Sequence, residues 1–156
     1  MHVLYGHSEF VAAWTKARIA VMKGGSFGPS TALGVMDKGK LIAGVVYHDW
    51  QPAFKTIQVS CAAESPRWAV RGIMSEILDY PFRQLGVNRI VSITAGDDER
   101  TRRFLEGLGM TLEGLGVEGF GDKDAAFYRL LKREWEVGRF HKKEIGHGKA
   151  QSTRAA

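Results

Sequence analysis

The turn that joins Ala63 to Gly72 carries the residue types needed to hold an anion. It reads Glu64-Ser-Pro-Arg-Trp-Ala-Val-Arg-Gly72 and lies between Thr56–Ala63, which alternates like a strand, and Val70–Leu85, which has helical spacing. A helix start exposes unpaired backbone N–H groups and a partial positive charge, and both favour a phosphate. Gly72 lets backbone approach a ligand closely, while Arg67 and Arg71 add fixed charge and fork-shaped donors. The combination suits a pyrophosphate. It is not a Walker loop, since no Gly-Lys-Ser/Thr follows, and the dinucleotide fingerprint Gly-x-Gly-x-x-Gly is absent. A second chemical feature is His48, followed by Asp49. An imidazole beside a carboxylate can accept a proton near neutral pH. Strand alternation, however, would turn Asp49 to the opposite face from His48. Cys61 has no evident base near it and gives no reason for thiolate chemistry.

The elements that must position these residues fit in one domain. The chain has 156 residues, 44% hydrophobic and 25% charged, enough to bury a core without disulfides or a structural metal. A single cysteine excludes an intrachain disulfide, and zinc-type Cys/His spacing is absent. Apolar runs are far too short for a membrane span, and the N-terminus lacks the layout of a secretory signal, so a cytoplasmic protein is expected. The net charge of +5 is mostly terminal. Residues 138–156 hold Arg139, Lys142, Lys143, Lys149 and Arg154 against Glu144. A surface built to track nucleic acid would not vanish when one short segment is set aside. The expected organisation is a domain over 1–137 and a flexible basic tail over 138–156, with nucleic acid as a possible but disfavoured partner of that tail.

Periodicity predicts a helix from His7 to Val21 capped by Ser8, then strands over Thr31–Met36 and Leu41–His48 joined by a hairpin at Asp37–Lys40. Strand Thr56–Ala63 follows, then the helix Val70–Leu85, with Pro81 breaking one of its hydrogen bonds. Arg89–Thr94 is a strand, and Asp97 or Asp98 caps a helix that runs through Leu108 and stops at Gly109. Met110–Phe120 and Ala125–Leu131 form a last strand pair. This order gives a mixed α/β fold: a mostly antiparallel central sheet flanked by helices, with one parallel pairing across Val70–Leu85.

These features together resemble the GNAT superfamily of N-acetyltransferases, over roughly residues 3 to 135. That family places a Gln/Arg-x-x-Gly-x-Gly/Ala turn between its fourth strand and the next helix. Arg67 and Gly72 match, and Val70 stands where Gly is usual. The Asp98-Glu-Arg-Thr101 and Leu105-Glu-Gly-Leu-Gly109-Met110 segments fit the family's Asn-x-x-Ser helix and its Tyr-Glu-x-x-Gly-Phe ending, with Asp for Asn and Leu105 for Tyr. Ala126–Trp135 looks like the family's last strand. The general appearance is similar to small members encoded by bacteriophages and prophages.

The resemblance implies acetyl-CoA as cofactor and an unidentified amine as acceptor, joined by direct attack in a ternary complex. It implies cofactor contacts from Ala62 and Ala63 on a splayed strand, from Arg67, Trp68, Val70, Arg71 and Gly72 at the turn, and from Arg100, Thr101 and Phe104 on the later helix. Glu64, at the mouth of the splay, is the first choice of base, set against an ion pair with Arg67. His48 is a second choice. Tyr128 is a candidate acid in place of the Tyr missing at position 105, set against a plain core role. Trp68 either covers the cofactor or packs on the sheet. A homodimer is implied by the fold alone. Two other readings stay open: a phage-type modifier of a DNA base or host protein, and a GNAT-fold binding protein without catalysis.

Overall fold

The computed structural model describes residues 1–142. Seven strands form one sheet: β1 (His2–Leu4), β2 (Ser30–Asp37), β3 (Lys40–Gln51), β4 (Thr56–Ala63), β5 (Arg89–Ala95), β6 (Thr111–Phe120) and β7 (Lys123–Leu131). Their spatial order is β1-β2-β3-β4-β5-β7-β6. Every neighbouring pair is antiparallel except β4 and β5, which run parallel, as the sequence implies. The helices are α1 (Ser8–Lys16), α2 (Arg71–Asp79), α3 (Glu99–Gly107) and the short α4 (Lys132–Glu136).

Alternation on β3 sorts the core into two layers. Val45 and Tyr47 join the larger cluster, with Ile73, Met74 and Ile77 of α2 and Leu105 of α3. Val46 faces the other way and packs with Val11 of α1, Phe27 and Ala32. Gly44 lets α1 lie close to the sheet, because a Cβ there would sit 2.0 Å from Thr15 Oγ1 and 3.1 Å from Val11. Thr15 is fully buried and its hydroxyl donates to the Val11 carbonyl at 2.7 Å, so it has little room to yield. Gly44→Ala is therefore expected to destabilise the fold by about 1–3 kcal/mol. The midpoint of a urea titration reads this directly.

Several boundaries differ from expectation for local reasons. The first helix ends at Lys16, where N–H groups of Arg18 and Ile19 bond three residues back and tighten the chain into a separate turn at Ala20–Met22. Ser8 does not cap it. Its Oγ accepts the Ala32 N–H at 3.0 Å and ties α1 to β2. Helix α2 stops at Asp79 and passes into a widened turn, Tyr80–Gln84, that contains Pro81. Asp98 caps α3 through both carboxylate oxygens, on Thr101 N at 3.1 Å and Thr101 Oγ1 at 2.7 Å.

Strand β1 and helix α4 are not visible in the sequence pattern, being too short for periodicity to register. Trp135 of α4 stacks on Phe82 at 4.8 Å, and Phe140 is buried behind it. The packed chain thus continues past residue 137, and the segment Gly138–Lys142 lies on the domain. The rest of the expected tail, 143–156, is outside the described residues. Among the described residues, no helix is long and apolar enough to cross a membrane.

Candidate active site

Strands β4 and β5 pair over only three residues each, Thr56–Gln58 against Arg89–Val91, and then part. Beyond that point the Val59 carbonyl is met by the Ser92 hydroxyl at 2.8 Å rather than by a ladder bond. The backbone parity of β4 follows. Glu64 N–H bonds Ile42 across on β3, so Ala62 and Ser60 also turn their N–H groups to β3. Cys61 and Ala63 turn theirs into the opening. Of the two implied positions, Ala63 and not Ala62 thus offers a backbone donor there, and Cys61 supplies the second. Burial pushes the Cys61 thiol up to about 12, so its contribution is the backbone.

The parting of the strands opens a cavity of about 770 Å³ with walls from both faces of the sheet. Trp68, Phe104 and Leu105 line it on the α2–α3 side, and His48, Ser60 and the Arg18–Met22 turn on the α1 side. Ala62, Ala63, Arg100 and Thr101 are also in its wall. Trp68 stacks on Phe104 with ring centroids 5.2 Å apart, so the two aromatic rings span the gap between β4's exit and α3.

The turn before α2 differs from its sequence expectation. Arg67 pairs with Asp37 at 3.1 Å, and Arg71 Nε donates to the Arg139 carbonyl at 3.1 Å. Neither guanidinium extends into the cavity wall, and Val70, Arg71 and Gly72 are not part of that wall. Val70 precedes α2 in an extended conformation (φ −92°, ψ 150°) and needs no positive φ. The open donors are the N–H groups of Arg71, Gly72 and Ile73, because no side chain caps α2 and its first backbone bond starts at Met74. A Cβ on Gly72 would meet nothing within 4 Å, so the approach to these donors is clear.

The three candidate proton carriers lie in different surroundings. Glu64 is held by Arg18 at 2.8 Å and Lys40 at 3.1 Å, not by Arg67. Hydrogen bonds from Arg18 and then Lys40 keep its carboxyl below the ordinary range, which makes it a weak proton acceptor. Tyr128 is fully buried; its hydroxyl donates to Glu106 Oε1 at 3.0 Å and accepts from Arg102 Nε at 2.9 Å. It is locked in that network, away from the cavity wall.

His48 is the one of the three that lines the cavity. Its Nδ1 lies 2.8 Å from Asp49 Oδ2 and its Nε2 lies 2.8 Å from Ser60 Oγ. The expected divergence of His48 and Asp49 does not occur, because β3 carries an extra residue between His48 and Gln51 relative to β4. Asp49 takes φ +52° in this bulge, and its carboxylate swings back to the imidazole. A carboxylate accepts hydrogen bonds, so Nδ1 is the protonated nitrogen and Nε2 is the acceptor for Ser60. Ser60 was not singled out from sequence; the available signal was its polar place two residues from Gln58, the register partner of His48.

Burial lowers the His48 pKa, and the hydrogen bond and charge of Asp49 oppose this only in part. The unfolded chain therefore binds this proton at a higher pH than the folded one does. The stability contributed by neutral His48 is complete above the ordinary histidine range and is lost as pH falls through that range toward the folded value. Urea titrations between neutral and mildly acidic pH should show this decline, and His48→Gln should flatten it.

No family model matches the sequence. YdaF of Bacillus subtilis, by its name a candidate ribosomal N-acetyltransferase, is 32% identical over 92 residues that cover 51% of this chain and 50% of that protein. The chain thus spans about half the length of this curated relative. Among solved structures, a spermidine N-acetyltransferase SpeG chimera from Vibrio cholerae and hSSAT superposes with a TM-score of 0.68 at 16% identity, over 86% of this chain and 98% of that one. The chain has the GNAT fold. A dodecameric spermidine N-acetyltransferase from Vibrio cholerae agrees, with a TM-score of 0.64 at 19% identity over 70% of this chain and 69% of that one. In GNAT terms, the parted β4 and β5 are the splay that the resemblance implied, and the bulge at Asp49 lies beside it.

Proposed function

We propose that the chain is an acetyl-CoA-dependent N-acetyltransferase that acts by direct attack of an amine in a ternary complex. The observation that carries this reading is the cavity through the parted strands, with an aromatic pair on one face and a buried imidazole on the other. The GNAT fold and the similarity to YdaF support it. The residues present suit the cofactor. The unpaired N–H groups of Arg71, Gly72 and Ile73 would receive the diphosphate; Cys61 and Ala63 N–H, about 7 Å apart on one strand edge, would meet the thioester carbonyl and the pantetheine arm separately. Acetyl-CoA, when bound, supplies an activated acyl group. His48 Nε2 takes the amine proton through the Ser60 hydroxyl, while Asp49 steadies the imidazolium that forms. Glu64 and Tyr128 are not assigned this work, because Arg18 and Lys40 hold the first and Glu106 and Arg102 the second. A thiolate is a far weaker base than an alkoxide and leaves without a dedicated acid, so the absence of a Tyr at position 105 is tolerable.

The charge of the walls bears on the acceptor. Asp97 and Asp98 are their only carboxylates among the described residues, and they are engaged by Lys123 at 3.2 Å and by Thr101. Arg18, Arg100 and Lys123 are basic. A polycation such as spermidine, the substrate in SpeG's name, would find no free anion there, so an amine on a neutral or acidic carrier, such as a peptide N-terminus, is the better fit. The named matches come from Bacillus subtilis and Vibrio cholerae and give no support to a phage-type modifier. Exposed Leu115 and Val117 on edge strand β6 are compatible with a homodimer.

Calorimetry with acetyl-CoA, followed by release of free thiol against peptide amines and spermidine, tests the reading. Binding together with peptide-dependent thiol release is expected. No measurable binding would leave a GNAT-fold protein without this catalysis.

A further inference from the structure

Ser60, His48 and Asp49 form a hydrogen-bonded series with both links at 2.8 Å; Ser60 and His48 line the cavity, and Asp49 stands behind the imidazole. The order is hydroxyl, imidazole, carboxylate. That is the arrangement by which a serine is made nucleophilic: the carboxylate fixes the Nδ1–H tautomer and leaves Nε2 to take the hydroxyl proton. Direct amine transfer does not require it, since a lone base would serve. We propose that Ser60 is itself an acyl acceptor, so that the cavity forms an acyl-serine from short acyl esters and thioesters and hydrolyses it when no amine is present.

The backbone supports this second chemistry. The residue after a nucleophilic serine commonly supplies an oxyanion donor, and Cys61 N–H, directly after Ser60, faces the opening between β4 and β5. Ala63 N–H lies on the same edge one step along. Ser60 is half-buried and lines the cavity, whereas His48 is 5% exposed, so the serine is the more accessible of the two and the base is shielded. In the acylation step Ser60 Oγ bonds to the acyl carbon, the bond from that carbon to the alcohol or thiol breaks, and the Oγ proton passes through Nε2 to the leaving group. In the second step water bonds to the acyl carbon, its proton passes through Nε2 to Ser60 Oγ, and a carboxylic acid departs. Neither step needs an oxidant or a metal. The proposal goes beyond the amine reading and does not depend on acetyl-CoA binding.

The test uses p-nitrophenyl acetate and the full chain, so it is independent of the diphosphate turn. A burst of p-nitrophenolate near one equivalent per chain is expected, with a mass gain of about 42 Da, one acetyl for one hydrogen. Fragmentation of the acid-quenched protein should place the acetyl on Ser60. Ser60→Ala and His48→Gln should each lower the burst rate by about a hundredfold or more, and Asp49→Asn by about tenfold. No burst, or an acetyl found on a lysine or on Cys61, would overturn the proposal. Because the site is mapped in the unmutated chain, a variant that fails to fold does not blunt the test. Failure here with intact amine transfer would sink the serine alone; a burst without acetyl-CoA binding would sink the cofactor reading alone.

Discussion

The proposed role of His48 predicts that exchanging it for glutamine lowers kcat for amine acetylation by about 10²- to 10⁴-fold, the usual range for losing a positioned base. Glutamine keeps a polar group of similar reach but cannot take a proton. The affinity for acetyl-CoA should change by no more than about twofold, since His48 lies on the α1 face and the diphosphate donors lie at the start of α2. This split between kcat and binding separates a proton acceptor from a residue that only holds the fold. Glu64→Gln supplies the contrast. Its surface pairs with Arg18 and Lys40 contribute little, so a change in kcat within about threefold is expected. A loss at Glu64 that matched the loss at His48 would restore the original choice of base. The same assignment predicts a pH dependence. Burial depresses the His48 pKa, the Asp49 hydrogen bond and charge opposing it only in part, so the acid limb of kcat is expected below the ordinary histidine range.

The second large effect is at Gly72. Gly72→Glu is expected to weaken acetyl-CoA binding by about 10- to 100-fold, equivalent to about 1–3 kcal/mol, because it sets a carboxylate against a diphosphate at the same N–H groups. The fold should not suffer. A Cβ at this position meets nothing, glycine is a poor helix residue, and an acidic side chain suits the first turn of α2. A protein that gains thermal stability while losing cofactor affinity would show that the two share one helix terminus. If calorimetry showed undiminished binding, the diphosphate would have to sit elsewhere. Arg67→Glu should have a smaller effect on affinity, since that side chain is exposed and paired with Asp37.

What could be read from the sequence was what is encoded locally. The bounds of β4, the break at Pro81 and a cap at Asp97 or Asp98 each follow from a residue acting on its own neighbours, and the parallel pairing of β4 with β5 follows from the order of the elements. The site depends on longer reach. Ser60 meets His48 only because β3 and β4 pair in one particular register, and periodicity does not reveal register. Asp49 meets His48 only through a positive φ at a non-glycine residue, which sequence composition does not announce. Glu64 was assigned from its place after β4, yet Arg18 and Lys40 reach it from two other elements. Likewise Arg67 and Arg71 carry the right charge at the right spacing, but Asp37 and the Arg139 carbonyl take them up. The turn does start a helix, and the donors it leaves open are backbone N–H groups, its two guanidinium groups being paired elsewhere.

Within the sheet, strands β1–β4 meet strands β5–β7 through a ladder of only three residue pairs, extended by the Ser92–Val59 bond at one end and the Asn88–Lys55 bond at the other. The sheet is thus two panels that share a short hinge line. Whatever lodges between Cys61–Ala63 and β5 bridges the panels and takes over the lateral bonding the strands themselves forgo. Amide hydrogens along that seam should exchange fast in the ligand-free protein and slowly once it is bridged. Occupancy would then be legible as a stiffening of the sheet, with no change in its shape.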